Sequence, residues 1–258
     1  MVTAQFRFYE ELNDFLAPAR RGRSFSCACA RAATVKHMVE ALGVPHTEVE
    51  LVLVNGASVG FEHRLGDGDR VAVYPKFETF DISALLRLRA RPLRSLRFVA
   101  DVHLGGLARL LRMAGFDTIW ERQLDDAYIA SLSLASGRIV LTRDRDLLKR
   151  RCITHGCYLH ALKPAQQFRE LAERLDLAAS ARPFTLCLEC NTVLHPVDKA
   201  EVAGQLPPAV REHHTEFQTC DGCHRVFWKG RHWQHMQAML AATGMLRSSA
   251  LQHRQCSD

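Results

Sequence analysis

The chain has 258 residues, of which 47% are hydrophobic and 24% charged, so it is long enough for two domains and a small third. Its longest apolar runs fall well short of the roughly 18 residues of a transmembrane helix, and its N-terminus lacks the apolar region of a signal peptide; we expect a cytoplasmic protein without a membrane span. A net charge of +6 and a pI near 8.9 are compatible with an anionic partner.

Residues 1–80 have the pattern of a small α+β domain. The segment F6-R-F-Y9 predicts a first strand, and residues 34–43 predict a helix between an N-cap threonine and a terminal glycine. Residues 50–56 predict a strand that ends in an Asn-Gly turn, and residues 65–74 a tight turn and a last strand. This order resembles the β-grasp fold of ubiquitin and of the small sulfur-carrier proteins. Because a sulfur carrier needs a free C-terminal Gly-Gly and this chain continues, we expect a module that binds a protein partner.

A basic linker, residues 81–96, is expected next. Five arginines lie in or beside it, at positions 87, 89, 91, 94 and 97. Arginines of this kind bind phosphate, but no aromatic residues that stack on bases interleave with them, and a solvated basic linker explains the run equally well.

Residues 97–180 alternate between strands and helices. Strands are predicted at 97–101, 118–120, 138–142 and 157–162, and helices at 103–115, 127–135, 144–151 and 164–177. This alternation predicts an α/β/α domain with a mostly parallel sheet. Two apolar strands lead to Asp101 and Asp144, and open parallel sheets bind ligands at the carboxyl ends of their strands. Carboxylates gathered there repel one another, so we expect a hard divalent cation between them.

Four aspartates are the candidate catalytic residues: Asp101, Asp126, Asp144 and Asp146. Asp101 and Asp144 are the expected ligands of Mg²⁺ or Mn²⁺, and Asp126 and Asp146 would complete the shell directly or through metal-bound water. Each position has a structural alternative. An aspartate after a strand often caps the next helix, either Asp125 or Asp126 explains a helix start, and the helix dipole favours an acid such as Asp146 in a first turn.

Aspartates around a divalent cation are typical of metal-dependent nucleases, and other polar residues nearby would take part in cleavage of a phosphodiester. The hydroxyl of Thr142 would orient a carboxylate or the scissile phosphate. Arg109, Arg112 and Arg143 are candidates for binding phosphate, because a guanidinium forms paired hydrogen bonds with phosphate oxygens.

Three motifs of this segment resemble the PIN-like ribonucleases of the Mut-seven C-terminal ribonuclease-domain family. They are the helix L107-A-R-L-L-R112 with the following G115-F-D117, the pair D125-D126, and the box L141-T-R-D-R-D-L-L148. The helix and the box are specific to that family rather than to PIN domains at large. Its bacterial members often carry a β-grasp domain in front and a zinc ribbon behind, in the order expected here. The resemblance implies a ribonuclease, and therefore an RNA partner.

Two CxxC pairs, C187-L-E-C190 and C220-D-G-C223, are separated by 29 residues. This spacing predicts a zinc ribbon, residues 183–240, in which all four cysteines bind one tetrahedral ion. Four thiolates leave no position for a catalytic water, so this zinc would be structural. A redox CxxC is the alternative, and four histidines are either substitute ligands or surface residues: His195, His213, His214 and His224.

The segment V226–W233 mixes aromatic and basic side chains after the second cysteine pair. Lys229 and Arg231 are candidate RNA contacts beside rings that would stack on bases. Packing of Phe227 and Trp228 against the ribbon core explains the same pattern. The remaining residues, 241–258, are expected to form a tail.

The sequence thus predicts an α/β protein in which a PIN-like α/β/α domain with a mostly parallel sheet lies between a β-grasp domain and a zinc ribbon. The expected activity is that of a Mg²⁺- or Mn²⁺-dependent endoribonuclease with structural zinc and no organic cofactor. The alternative is an adaptor that binds RNA or protein without cleaving. Cation-dependent cleavage that disappears when Asp101 and Asp144 are neutralised separates the two.

Overall fold

The computed structural model describes residues 1–75 and 96–246. The arginines at 87, 89, 91 and 94 and the tail from residue 247 lie outside the described residues. The chain divides into two compact units: Met1–Leu104 with Trp120–His160, and Gly105–Ile119 with Ala161–Asp258. No helix in the described ranges has the length and apolar character needed to cross a membrane.

Both helices and strands are present throughout the described ranges, which confirms the predicted α/β class. The strands are β1 Val2–Phe8, β2 Phe25–Cys29, β3 Leu51–Val54, β4 Ala57–Ser58, β5 Arg70–Tyr74, β6 Phe98–Ala100, β7 Thr118–Ile119, β8 Ile139–Thr142, β9 Gly156–Tyr158, β10 Leu194–Val197, β11 Phe217–Cys220 and β12 Val226–Trp228. The α-helices are α1 Val35–Ala41, α2 Gly105–Met113, α3 Asp126–Ser136, α4 Arg145–Leu148, α5 Pro164–Arg174, α6 Lys199–Val202, α7 Pro208–His213 and α8 Arg231–Ala242.

The first unit begins with a β-grasp domain whose strands lie in the order β2-β1-β5-β3-β4. β1 and β5 are parallel, and alternate residues of β1, such as Phe6 and Phe8, are buried in the core together with α1. The predicted turn signals are confirmed. The side chain of Thr34 caps α1, and Asn55 and Gly56 have positive φ angles of 53° and 87° between β3 and β4. β2 has no clear sequence signal, because its alanine has a low strand propensity.

The first unit also contains three parallel strands in the order β6-β8-β9. Every residue of β6 and β8 is buried, as expected for a parallel sheet covered on both faces. Because the strands run in the same direction, the residues that follow β6 and β8 lie at one edge of the sheet. Two elements have only half of their predicted length. α4 ends at Leu148, before a run of three basic residues, and β9 ends at Tyr158, which pairs with the last residue of β8.

The second unit combines a pair of packed helices, α2 and α5, with an antiparallel sheet in the order β10-β11-β12. The helices approach closely at Gly106, where a Cβ atom would lie 2.5 Å from Cγ of Pro164. Helices α6 and α7 are inserted between β10 and β11, which explains the long spacing between the cysteine pairs. Val202 of α6 packs in the same small core as Phe217 and Trp228, so Trp228 belongs to the ribbon core.

Candidate metal sites

A buried hydroxyl joins the ends of strands β6 and β8. Thr142, the last residue of β8, is 0% exposed. Its Oγ1 donates a hydrogen bond to Oδ2 of Asp101 at 2.7 Å and accepts one from the backbone N–H of Asp144 at 2.9 Å. The predicted role of Thr142 in orienting a carboxylate therefore has a geometric basis. One side chain fixes the Asp101 carboxylate and the backbone at Asp144 with respect to each other.

Asp144 has a structural role as the cap of α4. Its Oδ1 accepts the backbone N–H of Asp146 at 2.8 Å. A carboxylate has two oxygens, so this cap leaves Oδ2 able to accept a ligand. Asp146 is 88% exposed at its side chain and forms an ion pair with Lys149 at 3.1 Å. Capping and cation binding are therefore compatible at Asp144.

The adjacent Asp125 and Asp126 have different environments. Asp125 is the N-cap of α3, and its Oδ1 accepts the backbone N–H of Tyr128 at 2.7 Å. Asp126 is the first residue of the helix, and its Oδ2 lies 3.2 Å from a guanidinium nitrogen of Arg150. The capping function belongs to Asp125, which leaves Asp126 as the site candidate of the pair.

The carboxylates of the four candidate aspartates do not converge on one point as a complete set of metal ligands. In the described part of the chain, only the four cysteines form a group of three or more potential metal ligands whose atoms converge. Mg²⁺ commonly keeps several waters and binds through one or two carboxylates together with substrate phosphate oxygens. The pair Asp101 and Asp144, linked through Thr142, fits that open type of site.

The sulfur atoms of Cys187, Cys190, Cys220 and Cys223 all lie within 4.8 Å of one another. A tetrahedral zinc ion with Zn–S bonds of about 2.3 Å requires sulfur atoms roughly 3.8 Å apart. The Sγ atoms of Cys187 and Cys223 are 3.7 Å apart, so the four thiols fit zinc. The four histidines named above as substitute ligands are not in this group.

Both cysteine pairs form the same tight turn. In the first, Asn191 has a φ of 64° and its N–H donates to the carbonyl oxygen of Cys187 at 3.0 Å. In the second, His224 has a φ of 56° and its N–H donates to the carbonyl oxygen of Cys220 at 2.8 Å. The residue after each CxxC therefore needs a left-handed backbone. Asn and His tolerate it better than most non-glycine residues.

The thiols of the cluster differ in acidity. Burial raises the pKa of Cys187, and a hydrogen bond with Cys223 is the largest cause that raises the pKa of Cys190. At Cys220 burial also raises the pKa, but hydrogen bonds from the backbone of Cys223 and Gly222 contribute to a net decrease to about 7. Zinc binds thiolates, so proton release should accompany binding.

The arginines of α2 contact the turn of the first CxxC pair, residues 187–191, which forms the first knuckle of the candidate zinc site. Arg112 is 3% exposed, and its guanidinium donates to the carbonyl oxygens of Thr118 at 3.0 Å, Leu188 at 3.0 Å and Glu189 at 2.7 Å. Burial lowers its pKa. Arg109 forms an ion pair with the Glu189 carboxylate at 2.6 Å. Arg112 is therefore engaged in a structural contact and has no accessible face for phosphate.

The segment after α2 completes this contact. The carboxylate of Asp117 accepts a hydrogen bond from Nδ2 of Asn191 at 2.6 Å, and the N–H of Thr118 donates to Oδ1 of Asn191 at 2.9 Å. Gly115 has a φ of 89°, and a Cβ there would lie 1.9 Å from the carbonyl oxygen of Arg182. The L-A-R-L-L-R…G-F-D signature thus forms the surface on which the zinc knuckle rests. Sequence reasoning missed this role for Asp117 and Asn191.

The remaining basic candidates differ in their availability. Nε of Arg143 donates to the carbonyl oxygen of Leu159 at 3.2 Å, while the residue is otherwise exposed. Nζ of Lys229 pairs with Glu216 at 2.6 Å, which lowers the pKa of that carboxyl. Arg231 is exposed at the start of α8. Arg143 and Arg231 are therefore exposed and, unlike Arg109 and Lys229, have no carboxylate partner among the described residues.

Two family models match the chain. The model described as the Mut7-C RNAse domain covers residues 96–240, and the model described as Mut7-C ubiquitin covers residues 1–81. Two solved structures of small archaeal modifier protein 1 from Haloferax volcanii also match. One is 18% identical, covers 30% of this chain and 100% of its own with a TM-score of 0.25. The other is 17% identical and covers 30% and 99% with the same TM-score of 0.25.

None of the curated proteins matches the chain. The match to the RNAse-domain model alone covers more than half of the residues, in agreement with the motifs at 107–117 and 141–148. The ubiquitin model accounts for the β-grasp domain in front of it. The chain therefore belongs to the Mut7-C RNAse domain family, with a ubiquitin-like domain at its N-terminal side.

Proposed function

We propose that the protein is a divalent-cation-dependent endoribonuclease of PIN-like type. The observation that carries the proposal is the link Asp101–Thr142–Asp144 at the carboxyl ends of two neighbouring parallel strands. Such edges are the usual ligand sites of open parallel sheets. Membership of an RNAse-domain family supports RNA as the substrate class.

Asp101 and the free oxygen of Asp144 would hold Mg²⁺ or Mn²⁺. When bound, such an ion lowers the pKa of a water and neutralises charge on phosphate oxygens. Thr142 donates to Asp101, which holds that carboxylate in one orientation and leaves its other oxygen available. Asp126 and Asp146 lie in the first turns of α3 and α4, where they would orient water molecules around the site.

The basic residues beside these carboxylates suit an anionic substrate. Arg150 pairs with Asp126 at 3.2 Å and Lys149 with Asp146 at 3.1 Å, both partly exposed. Arg143, the residue between Thr142 and Asp144, is exposed beside these carboxylates. Arg143 is the proposed RNA phosphate contact beside the carboxylates of the first unit, and Arg231 is a separate candidate contact within the second unit. Arg112 is left out of the proposed RNA contacts because it is buried.

Cleavage of single-stranded and structured RNAs in Mn²⁺, Mg²⁺ or EDTA tests the proposal. We expect the wild type to cleave only with a divalent cation, and the Asp101→Asn/Asp144→Asn variant to lose about 100-fold or more of its activity, a loss typical of removing groups that stabilise developing charge. Asparagine caps a helix as well as aspartate does, so Asp144→Asn retains the cap of α4. Asp125→Asn is the matched control, since it removes a neighbouring charge and keeps the cap of α3.

Zinc content and unfolding temperature must agree among these proteins. Equal cleavage by wild type and double variant would reject the site. A folded, zinc-loaded wild type that binds RNA without cleaving it in any cation would reject the nuclease proposal in favour of the non-cleaving adaptor.

The β-grasp domain is the proposed site for a protein partner. One face of its sheet carries an open cavity of about 510 Å³, lined by Arg7, Arg70, Gln5 and Tyr9 and by no carboxylate side chain. Neither arginine has an ion-pair partner among the described residues, and Arg7 lies over the ring of Tyr9 at 5.5 Å. This charge is complementary to an acidic peptide segment.

An acidic peptide of alternating Glu and Tyr is a suitable probe for this surface. In NMR spectra we expect amide shifts confined to β1, β5 and the β3–β4 turn, which line the cavity. The shifts should decrease with salt, and Arg7→Ser/Arg70→Ser should lose binding. Arg31→Ser/Arg64→Ser, which removes the same charge at exposed positions away from the cavity, should bind as wild type does. Peptide shifts located elsewhere, or a single-stranded RNA that displaces the peptide from this face, would refute the assignment.

A further inference from the structure

The side chain of Arg145, in the helix α4 that carries the acidic motif, contacts the β-grasp domain. Its guanidinium carbon lies 5.1 Å from the centre of the Phe15 ring and 5.4 Å from that of Tyr158. The two rings meet edge to face at 5.3 Å. Phe15 belongs to the β-grasp domain, and Tyr158 ends strand β9. A cation held over two aromatic rings is fixed in direction as well as in position.

Strand β9 is itself fixed by the β-grasp domain. The carboxylate of Glu48, a residue only 4% exposed, accepts the backbone N–H of Tyr158 at 2.6 Å. His46 donates from Nε2 to the carbonyl oxygen of Ile153 at 2.9 Å. These contacts come from the 3-10 helix His46–Glu48. The ring of Tyr158 that faces Arg145 is therefore held by the same domain that supplies Phe15.

Helix α4 depends on such outside support. It has four residues, Arg145–Leu148, and a helix of one turn is not stable by itself. Asp144 caps it, and Asp146 lies in its first turn, so both carboxylates follow any movement of Arg145. Leu147 and Leu148 anchor the opposite side in the core. The direction of the two carboxylates is thus set by the core on one side and by the clamp of Phe15 and Tyr158 on the other.

We propose that Arg145 is a positioning residue through which the β-grasp domain holds Asp144 and Asp146 in the geometry that binds the divalent cation. The proposal rests on the proposed ribonuclease function. It gives the ubiquitin-like domain a second role, support of the nuclease site, that is independent of any partner. Arg145 acts through its neighbours and does not contact the RNA.

Arg145→Met tests this role because it keeps the unbranched stem and removes the cation. We expect the Mn²⁺ concentration for half-maximal cleavage to rise about 10-fold or more, as for losses of groups that orient metal ligands. KM for RNA should stay within about 2-fold, in contrast to the loss of a phosphate contact. Arg145→Lys should restore part of the Mn²⁺ affinity. Arg151→Met, an exposed arginine nearby, is the control for loss of charge.

Phe15→Leu, which keeps an apolar side chain in the core, examines the other half of the clamp. It should raise the Mn²⁺ requirement in the same direction, and combining it with Arg145→Met should add little, since both remove one contact. The proposal would be overturned if Arg145→Met had the same Mn²⁺ dependence as the wild type. It would also be overturned if Arg145→Met and Arg151→Met had equal effects, or if Arg145→Met changed only KM.

Hydrogen exchange separates this proposal from the nuclease assignment. Amides of residues 143–149 should exchange faster in Arg145→Met and Phe15→Leu than in the wild type, while amides of the zinc ribbon stay unchanged. If the wild type cleaves no RNA, the ribonuclease proposal fails, but faster exchange in these variants would still show that the clamp holds the loop. Unchanged exchange in both variants would reject the clamp whatever the activity.

Discussion

Removal of zinc from the four-cysteine site is expected to unfold the ribbon and to loosen the end of helix α2. Binding of structural zinc contributes about 10 kcal/mol or more near neutral pH, which is comparable to the whole stability of a domain. The core of the ribbon is small, with Val202, Leu206 and Phe217 as its buried members. Such a core does not hold the fold without the metal.

The effect should extend to α2 because the zinc knuckle supplies the partners of Arg112 and Asp117. This loosening is measured by comparing the amide hydrogen exchange of the zinc-loaded protein with that of protein treated with a strong chelator. We expect fast exchange in 187–228 and at the end of α2, and unchanged exchange in the β-grasp strands. Cys220→Ser should reproduce the chelated state, and Cys152→Ser, outside the cluster, should not. Full protection of the ribbon in metal-free protein would contradict the prediction.

Zinc retention should also depend on pH in a defined direction. The ligands are thiolates, and protons compete with the metal for them, so stability contributed by zinc is present at neutral and higher pH and is lost as the pH falls. The pKa of Cys220 is lowered to about 7 while those of Cys187 and Cys190 are raised, so as the pH rises Cys220 loses its proton before those two thiols. Titration of released zinc with a colorimetric chelator follows the process.

Substitution of Arg112 by methionine is expected to cost about 3 kcal/mol or more of stability. The change leaves the buried carbonyl oxygen of Thr118 without its donor, at a desolvation cost of about 1–3 kcal/mol. It also removes two part-buried hydrogen bonds of a charged donor to Leu188 and Glu189, each contributing about 1 kcal/mol or more. Lysine should not restore the loss, because a single ammonium group cannot reproduce the planar fork of guanidinium. Urea unfolding of zinc-saturated protein measures the difference.

Arg109→Met is the matched control in the same helix. Its side chain is 51% exposed and pairs with the partly exposed Glu189, so its loss should cost at most about 1 kcal/mol. If Arg112→Met instead kept wild-type stability and weakened RNA binding, the phosphate role predicted from the sequence would be right and the structural assignment wrong.

The fold was largely predictable because its signals are local. The Thr34 cap, the Asn-Gly turn at 55–56 and the alternation of strands and helices at 97–180 depend on neighbours in sequence, and all appear in the structure. Lengths were less predictable. β9 stops at Tyr158 because its neighbour β8 stops at Thr142, and pairing between strands is not visible in either segment alone.

The candidate site was predictable as a set of residues but not as an arrangement. The pattern of a strand followed by an aspartate predicted Asp101 and Asp144 as metal ligands, yet the same pattern is typical of an aspartate that caps the next helix. The structure shows a cap at Asp144 and at Asp125, and it adds the Thr142 hydrogen bond that joins two strand ends 41 residues apart. Local spacing contains no information about which oxygen of a carboxylate remains free.

By itself the sequence determined the family, the two domain types and the four cysteines of the candidate zinc site, because two CxxC pairs are a local pattern typical of structural zinc. Only the tertiary structure decided what the arginines of α2 contact. In the sequence, an arginine on a helix such as Arg112 is compatible with phosphate binding. In the structure its hydrogen-bond partners are Leu188 and Glu189, which are 76 and 77 residues away. A hydrogen bond between distant segments depends on how the chain packs, and local sequence does not encode it.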